Sequence, residues 1–170
     1  AAIALFDSLQ AQIDPDWTAL VVSRGHPASA GLGEVIAHYA QAMPQLAPEV
    51  VETDARTLYR LLTERERGWV VLIDRPGRLA PDALLRLALA IDEFHQAGVV
   101  YGDEDHLRGP GLHADPLLKT PWDPAFGLTR DLFGGLKAIA AGVAVRCGGG
   151  VTHGPAWFYD MALRATEQLE

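Results

Sequence analysis

The 170-residue sequence predicts an α/β fold with a mainly parallel sheet, and three observations predict it. Short runs of strand-type apolar residues alternate with stretches whose apolar positions recur at helical spacing. The runs ALVV (19–22) and WVVLI (69–73) are continuously apolar rather than alternating, as in strands covered on both faces. Proline and glycine stand at the joints between these segments, where they end helices or open turns.

Taken in order, Ile3, Phe6, Leu9 and Ile13 recur at helical spacing before Pro15. A strand follows over 19–22, then a helix over 32–43 ended by Pro44. Residues 49–52 read as a weaker strand and 55–67 as a helix with Leu58, Leu61 and Leu62 inward. The strand over 69–73 leads to Pro81, placed as a first-turn proline, and to an amphipathic helix over 82–96. That helix is expected to bury Leu84, Leu87, Leu89 and Ile91 to differing degrees against the sheet. Residues 98–102 form the next strand, and 103–127 read as a long Pro- and Gly-rich loop of the functional kind. Helical character returns over 128–141, a short strand over 143–145, a hinge at Gly148, Gly149 and Gly150, and a closing helix over 156–170. No internal repeat or low-complexity tract interrupts this order.

Composition narrows the function classes. Hydrophobic residues make up 49% and charged residues 21%, the balance of a folded globular domain rather than a disordered chain. The net charge is −8 and the basic residues are scattered, so a nucleic-acid backbone would be repelled. Cys147 is the single cysteine, which excludes an intrachain disulfide and a multi-thiolate zinc site; it reads as a small half-buried residue, consistent with a cytoplasmic domain, either free or membrane-associated through a longer parent protein. No apolar run approaches the length of a membrane span, and no signal-peptide pattern is present. No Gly-x-Gly-x-x-Gly follows a strand, which argues against a dinucleotide oxidoreductase. The chain opens in mid-helix and closes on a helix, so 1–170 reads as a single domain excised from a longer protein.

The most informative stretch is GVVYGDEDHLRGPGLHADPLLKTPWDP (98–124), where a strand empties into Asp103, Glu104 and Asp105. Carboxylates this close repel unless water or a cation screens them, and Asp-x-Asp is a spacing that suits a hard divalent ion. The plainer reading is a solvated acidic loop. Asp74, at a strand end, reads either as a ribose or metal contact or as a cap on the turn before Pro76. Trp122 offers a ring for stacking on a sugar, or for packing over the loop. His113 and His153 show no ligand spacing and read as loop residues. Asp160 precedes Arg164 by one helical turn, the spacing of an intrahelical ion pair.

Five segments together resemble family 2 glycosyltransferases: LFDSLQAQIDPDWTALVV, WVVLID with LAPDALLRLALAI, YGDEDHL, DPLLKTPWDP and YDMALRATE. They stand in the family's order and cover nearly the whole chain, without the family's first strand. The resemblance implies a GT-A-like, three-layer α/β/α fold with a mainly parallel sheet. It also implies transfer of a sugar from a nucleotide-sugar donor to a glycan acceptor hydroxyl, aided by a divalent metal, Mg or Mn. The chemistry asks for a carboxylate to grip the base, an Asp-x-Asp for the metal that stabilises the leaving diphosphate, and a carboxylate as general base.

At those positions this chain departs from the pattern. Ser23, Arg24, Gly25 and His26 stand where Asp-Asp-Gly-Ser is usual, Pro76 stands at the second metal carboxylate, and Phe158 stands at the base. Two readings follow. In the first, the chain is a divergent enzyme in which Asp103 and Asp105 hold the metal, Asp74 and Trp122 the donor, and Asp160 stands in as base. In the second, it is a non-catalytic module that binds a partner or a glycan, or packs against other domains of a longer chain.

Overall fold

The computed structural model describes residues 2–23, 31–52, 64, 68–73, 75, 77–109, 111–148 and 157–167. Within them the elements run α1 (Ala2–Gln10), β1 (Ala19–Ser23), α2 (Leu32–Ala42), β2 (Leu46–Glu52), β3 (Trp69–Ile73), α3 (Ala83–Glu93) and β4 (Val99–Tyr101). They continue with β5 (Glu104–Leu107), β6 (His113–Leu117), α4 (Pro124–Gly127), β7 (Leu136–Ala140), α5 (Ala141–Arg146) and α6 (Trp157–Glu167). The helix expected over 55–67 lies outside the described residues, apart from Glu64, as do Asp74, Pro76, His26, His153, Gly149 and Gly150.

The expected GT-A-like, three-layer fold with a mainly parallel sheet is overturned. Among the described residues the parallel pairing is confined to the two strands β1 and β2. A second sheet has the order β3-β7-β4, with β7 antiparallel to both neighbours, and β5 and β6 form an antiparallel hairpin. The departure comes from three misread segments. Residues 136–140, within the stretch expected to be helical, form the central strand of the second sheet. Ala138 and Ile139 are fully buried there, paired on one side with Val71 and Val70 and on the other with Val100 and Val99. Ladder bonds to two neighbours outweigh the weak helix preference of a five-residue segment. The strand expected over 143–145 is part of helix α5, and the expected loop over 103–127 contains both the hairpin and α4.

Two apolar clusters hold these elements. One gathers Phe6 and Leu9 of α1, Ile36 of α2, Met43 and Leu46. The other packs Phe133 and Ile139 against Val143 and Ala144 of α5 and Phe158, Met161, Ala162 and Ala165 of α6. Polar side chains tie α1 to the start of α3. Ser8, 4% exposed, donates to the Leu5 carbonyl and accepts from the Leu79 amide at 3.0 Å. Gln12 accepts from the Leu84 amide at 3.0 Å and donates to the Ala80 carbonyl at 2.8 Å. The first turn of α3 thus receives a cap from another element, since the Asp82 side chain makes no cap bond to it. On α3, Leu87 is buried, Leu84 and Ile91 are half-buried, and Leu89 is exposed.

Candidate functional site

Because β3 and β4 both run opposite to β7, their carboxyl ends and the amino end of β7 share one edge of the sheet. Arg75 follows β3 at this edge, Gly102, Asp103 and Glu104 follow β4, and Asp131, Phe133, Gly134 and Gly135 precede β7. Lys119, from the segment after the hairpin, completes the group. Its side chain is 3% exposed, and its ammonium donates to the carbonyls of Gly102 and Phe133, the latter at 3.1 Å. Glu104 Oε2 lies 3.7 Å from Lys119 Nζ and accepts from the Gly135 amide at 2.8 Å. Asp103 accepts from the Lys119 amide at 2.7 Å. Burial lowers the Lys119 ammonium below its ordinary pKa of 10.5, and the charges of Glu104, Asp103 and Asp131 oppose that shift.

Gly134 is built into this clasp. Its φ of 63° is left-handed, and a β-carbon there would meet the Lys119 ammonium and both Glu104 carboxylate oxygens. Asp131 closes the edge, accepting from the Phe133 amide at 2.9 Å and lying 3.7 Å from the Arg75 guanidinium.

The remaining carboxylate of the acidic run, Asp105, has a different partner. Asp105 Oδ2 meets His113 Nδ1 at 2.7 Å across the β5–β6 hairpin. A second exposed pair, Arg108 with Asp115, braces the same hairpin at 2.5 Å. Asp103 and Asp105 thus meet different protein groups, the Lys119 amide and the His113 ring. Among the described residues, no group of three or more His, Cys, Asp or Glu side chains is placed to hold a metal. Asp74, expected at the donor, lies outside the described residues.

Trp122 sits half-buried on an aromatic cluster. Its ring stacks on Phe133 with centroids 5.6 Å apart and planes 13° apart. Phe133 also meets Tyr101, Phe158 and Tyr159 edge-on at 5.4, 5.7 and 5.9 Å. The Tyr101 hydroxyl donates to the Thr120 carbonyl at 2.8 Å, and burial raises its phenol above the ordinary 10.0. Gly127 abuts the Trp122 benzo ring so closely that a β-carbon would overlap it, and the Tyr159 hydroxyl donates to the Gly127 carbonyl. Trp122 also borders a shallow, open depression with Thr120, Asp123, Phe126 and Thr129. Asp103, Asp105 and Asp160 do not line it.

Asp160, expected as a stand-in base, forms an i,i+4 ion pair with Arg164 at 3.0 Å on α6. Phe158, at the position where the resemblance implies a base, is 2% exposed and has the Lys137 ammonium 5.2 Å from its ring centroid. Sequence reasoning named the acidic run but missed Lys119, Gly134 and Gly135, which hold it. The available signals were the lysine inside DPLLKTPWDP and the glycine pair ahead of an apolar run.

A search of curated proteins finds one that carries the name "Uncharacterized protein y4gI", from Sinorhizobium fredii (strain NBRC 101917 / NGR234), 28% identical over 178 aligned residues. The match covers 99% of this chain and 19% of that protein, so the chain spans about a fifth of the relative's length. No family model matches the chain, and no solved structure does. Among the described residues, no helix is long and apolar enough to cross a membrane.

Proposed function

We propose that this chain is a glycosyltransferase-like module of a longer protein that binds rather than transfers. One observation carries the reading: each carboxylate of the acidic run, which an enzyme would turn toward a metal and a diphosphate, has a partner within the protein. Asp103 takes the Lys119 amide, Glu104 the Gly135 amide and the Lys119 ammonium, and Asp105 the His113 ring. A general base is typically worth about 10²–10⁴ in rate, and Phe158 supplies no proton acceptor. The ordered sequence segments support the glycosyltransferase likeness, and the partial coverage of a longer relative supports a module that works beside other domains. Cys147, a buried free thiol, suits a cytoplasmic setting.

Calorimetry of the chain with a panel of nucleoside-diphosphate sugars, with Mn²⁺ or Mg²⁺ present, tests this reading. The expected result is no heat beyond dilution. Tight, metal-dependent binding of one donor that is lost in Asp103→Ala or Asp105→Ala would overturn it and restore the enzyme.

A further inference from the structure

The β5–β6 hairpin has two outer edges, and they differ. Along β6 the edge is closed to a further strand: Asp115 is left-handed, with φ 51°, and Pro116 has no amide N–H to offer. Along β5 the edge is open. The Arg108 amide donates to the Leu112 carbonyl at 3.0 Å, so Arg108 faces the returning strand. By the alternation of an antiparallel ladder, the N–H and C=O of Leu107 then face away from β6. Among the described residues no strand pairs with that edge, and Asp105, His106 and Leu107 are exposed along it. A two-stranded ribbon is marginal by itself and is stabilised by a strand added at its open edge.

We propose that this edge pairs with the same edge of a second copy of the chain, antiparallel about a two-fold axis at His106, joining two hairpins into one four-stranded sheet. The order of charges selects that occupant. Asp103, Glu104 and Asp105 stand at the start of the edge and Arg108 at its end. Laid antiparallel on itself, the segment sets Glu104 opposite the second copy's Arg108, Asp105 opposite its Leu107, and His106 opposite its His106. Unlike charges then face each other at both ends, whereas a copy laid parallel would set acid against acid. Glu104 and Arg108 keep their bonds within the chain, and the pairing adds attraction between the two ends. The Leu107 side chains, 44% exposed in the single chain, become diagonal neighbours across the axis. Such a contact uses one patch twice and closes at two copies.

Sedimentation of the 170-residue chain from about 1 μM to about 1 mM spans the affinities open to a small interface. A reversible monomer–dimer equilibrium is expected, with the hairpin a lone ribbon at the dilute end. Leu107→Pro removes an N–H that faces away from β6, so the hairpin keeps its own ladder while the dimer loses one bond on each side of the axis. Its dissociation constant should rise at least about tenfold. Cross-linking reads the register independently. Residues opposite each other at a non-hydrogen-bonded position stand about 4.5 Å apart, within the span of about 4.4–6.8 Å that a disulfide bridges. His106→Cys should therefore give a disulfide-linked dimer on mild oxidation, and Leu112→Cys, at the exposed turn away from the axis, should not. Cys147 is buried and contributes no link. Three outcomes overturn the proposal: the parent chain is monomeric throughout, a folded Leu107→Pro variant dimerises as tightly as the parent, or Leu112→Cys cross-links as readily as His106→Cys. Where Leu107→Pro fails to fold, the two cysteine variants decide.

Discussion

Lys119 shows how a single residue decides what the acidic run can do. A buried ammonium must find acceptors, and it finds the carbonyls of Gly102 and Phe133 and the carboxylate of Glu104. Replacing it with alanine leaves two carbonyls without their donor and Glu104 without its counter-charge. Lys119→Ala is therefore expected to lower unfolding stability by about 2–4 kcal/mol, the upper values being reduced because Glu104 is partly solvated. Gly134→Ala should act on the same clasp from the other side. The left-handed backbone alone costs about 1–3 kcal/mol for a residue with a β-carbon, and here that carbon also collides with the Lys119–Glu104 pair. Urea unfolding of both variants measures the two losses. In the double variant they should not add, since one interaction is removed twice. Additive losses would mean that Gly134 acts independently of the lysine.

At the scale of elements, β7 and the β5–β6 hairpin are opposites. β7 is the middle strand of its sheet, with Lys137, Ala138 and Ile139 buried. The hairpin pairs only with itself among the described residues, and Leu107, Leu112 and Leu117 are exposed along it. Amide exchange should therefore be slower in β7 than in β5 or β6 by more than about tenfold, because the hairpin opens without unpacking a core. Equal exchange would contradict the central position of β7. The same two elements mark where the sequence could not be read. β1, β3, β4, α1, α2, α3 and α6 were legible because apolar run length and helical spacing are local properties of the chain. β7 was not, because alanine-rich segments become strands only when two neighbours supply the ladder. The hairpin was not, because Glu104, Asp105 and Pro116 are poor strand formers, and the pairs Asp105–His113 and Arg108–Asp115 that support its ladder are not visible before the chain folds back. Of the site, the Asp160–Arg164 pair was legible because it spans one helical turn. The clasp was not: Lys119 and Glu104 are 15 positions apart, and carbonyls brought in by β4 and β7 complete it.

For the molecule as a whole, stability above neutral pH is set by groups that titrate differently once folded. Cys147 is 4% exposed, and its thiol lies above the ordinary 9.0 because burial penalises the thiolate, with Arg146 and Arg164 opposing the shift. Tyr101 lies above 10.0 through burial. Tyr39 does so first through its hydrogen bond to Asp7, then through burial and the charge of Asp7. For each of these three the folded state holds its proton more tightly than the unfolded chain. Their contribution is fully present below the unfolded values of 9.0 and 10.0 and is lost as the pH rises through the folded values. Lys119 has the opposite sign. Its folded pKa is below 10.5, so between the two values the unfolded chain binds more protons and stability rises with pH. Between about pH 9 and 11 these three groups impose a fall in unfolding free energy that Lys119 opposes, and both act on the urea midpoint. Tyr101→Phe removes one titrating group and should flatten the fall, although it lowers stability at pH 8 by taking away the bond to the Thr120 carbonyl. A variant whose pH profile parallels the parent's would show that the Tyr101 phenol titrates in the folded chain as it does in the unfolded one, and that the aromatic cluster around Phe133 does not shield it.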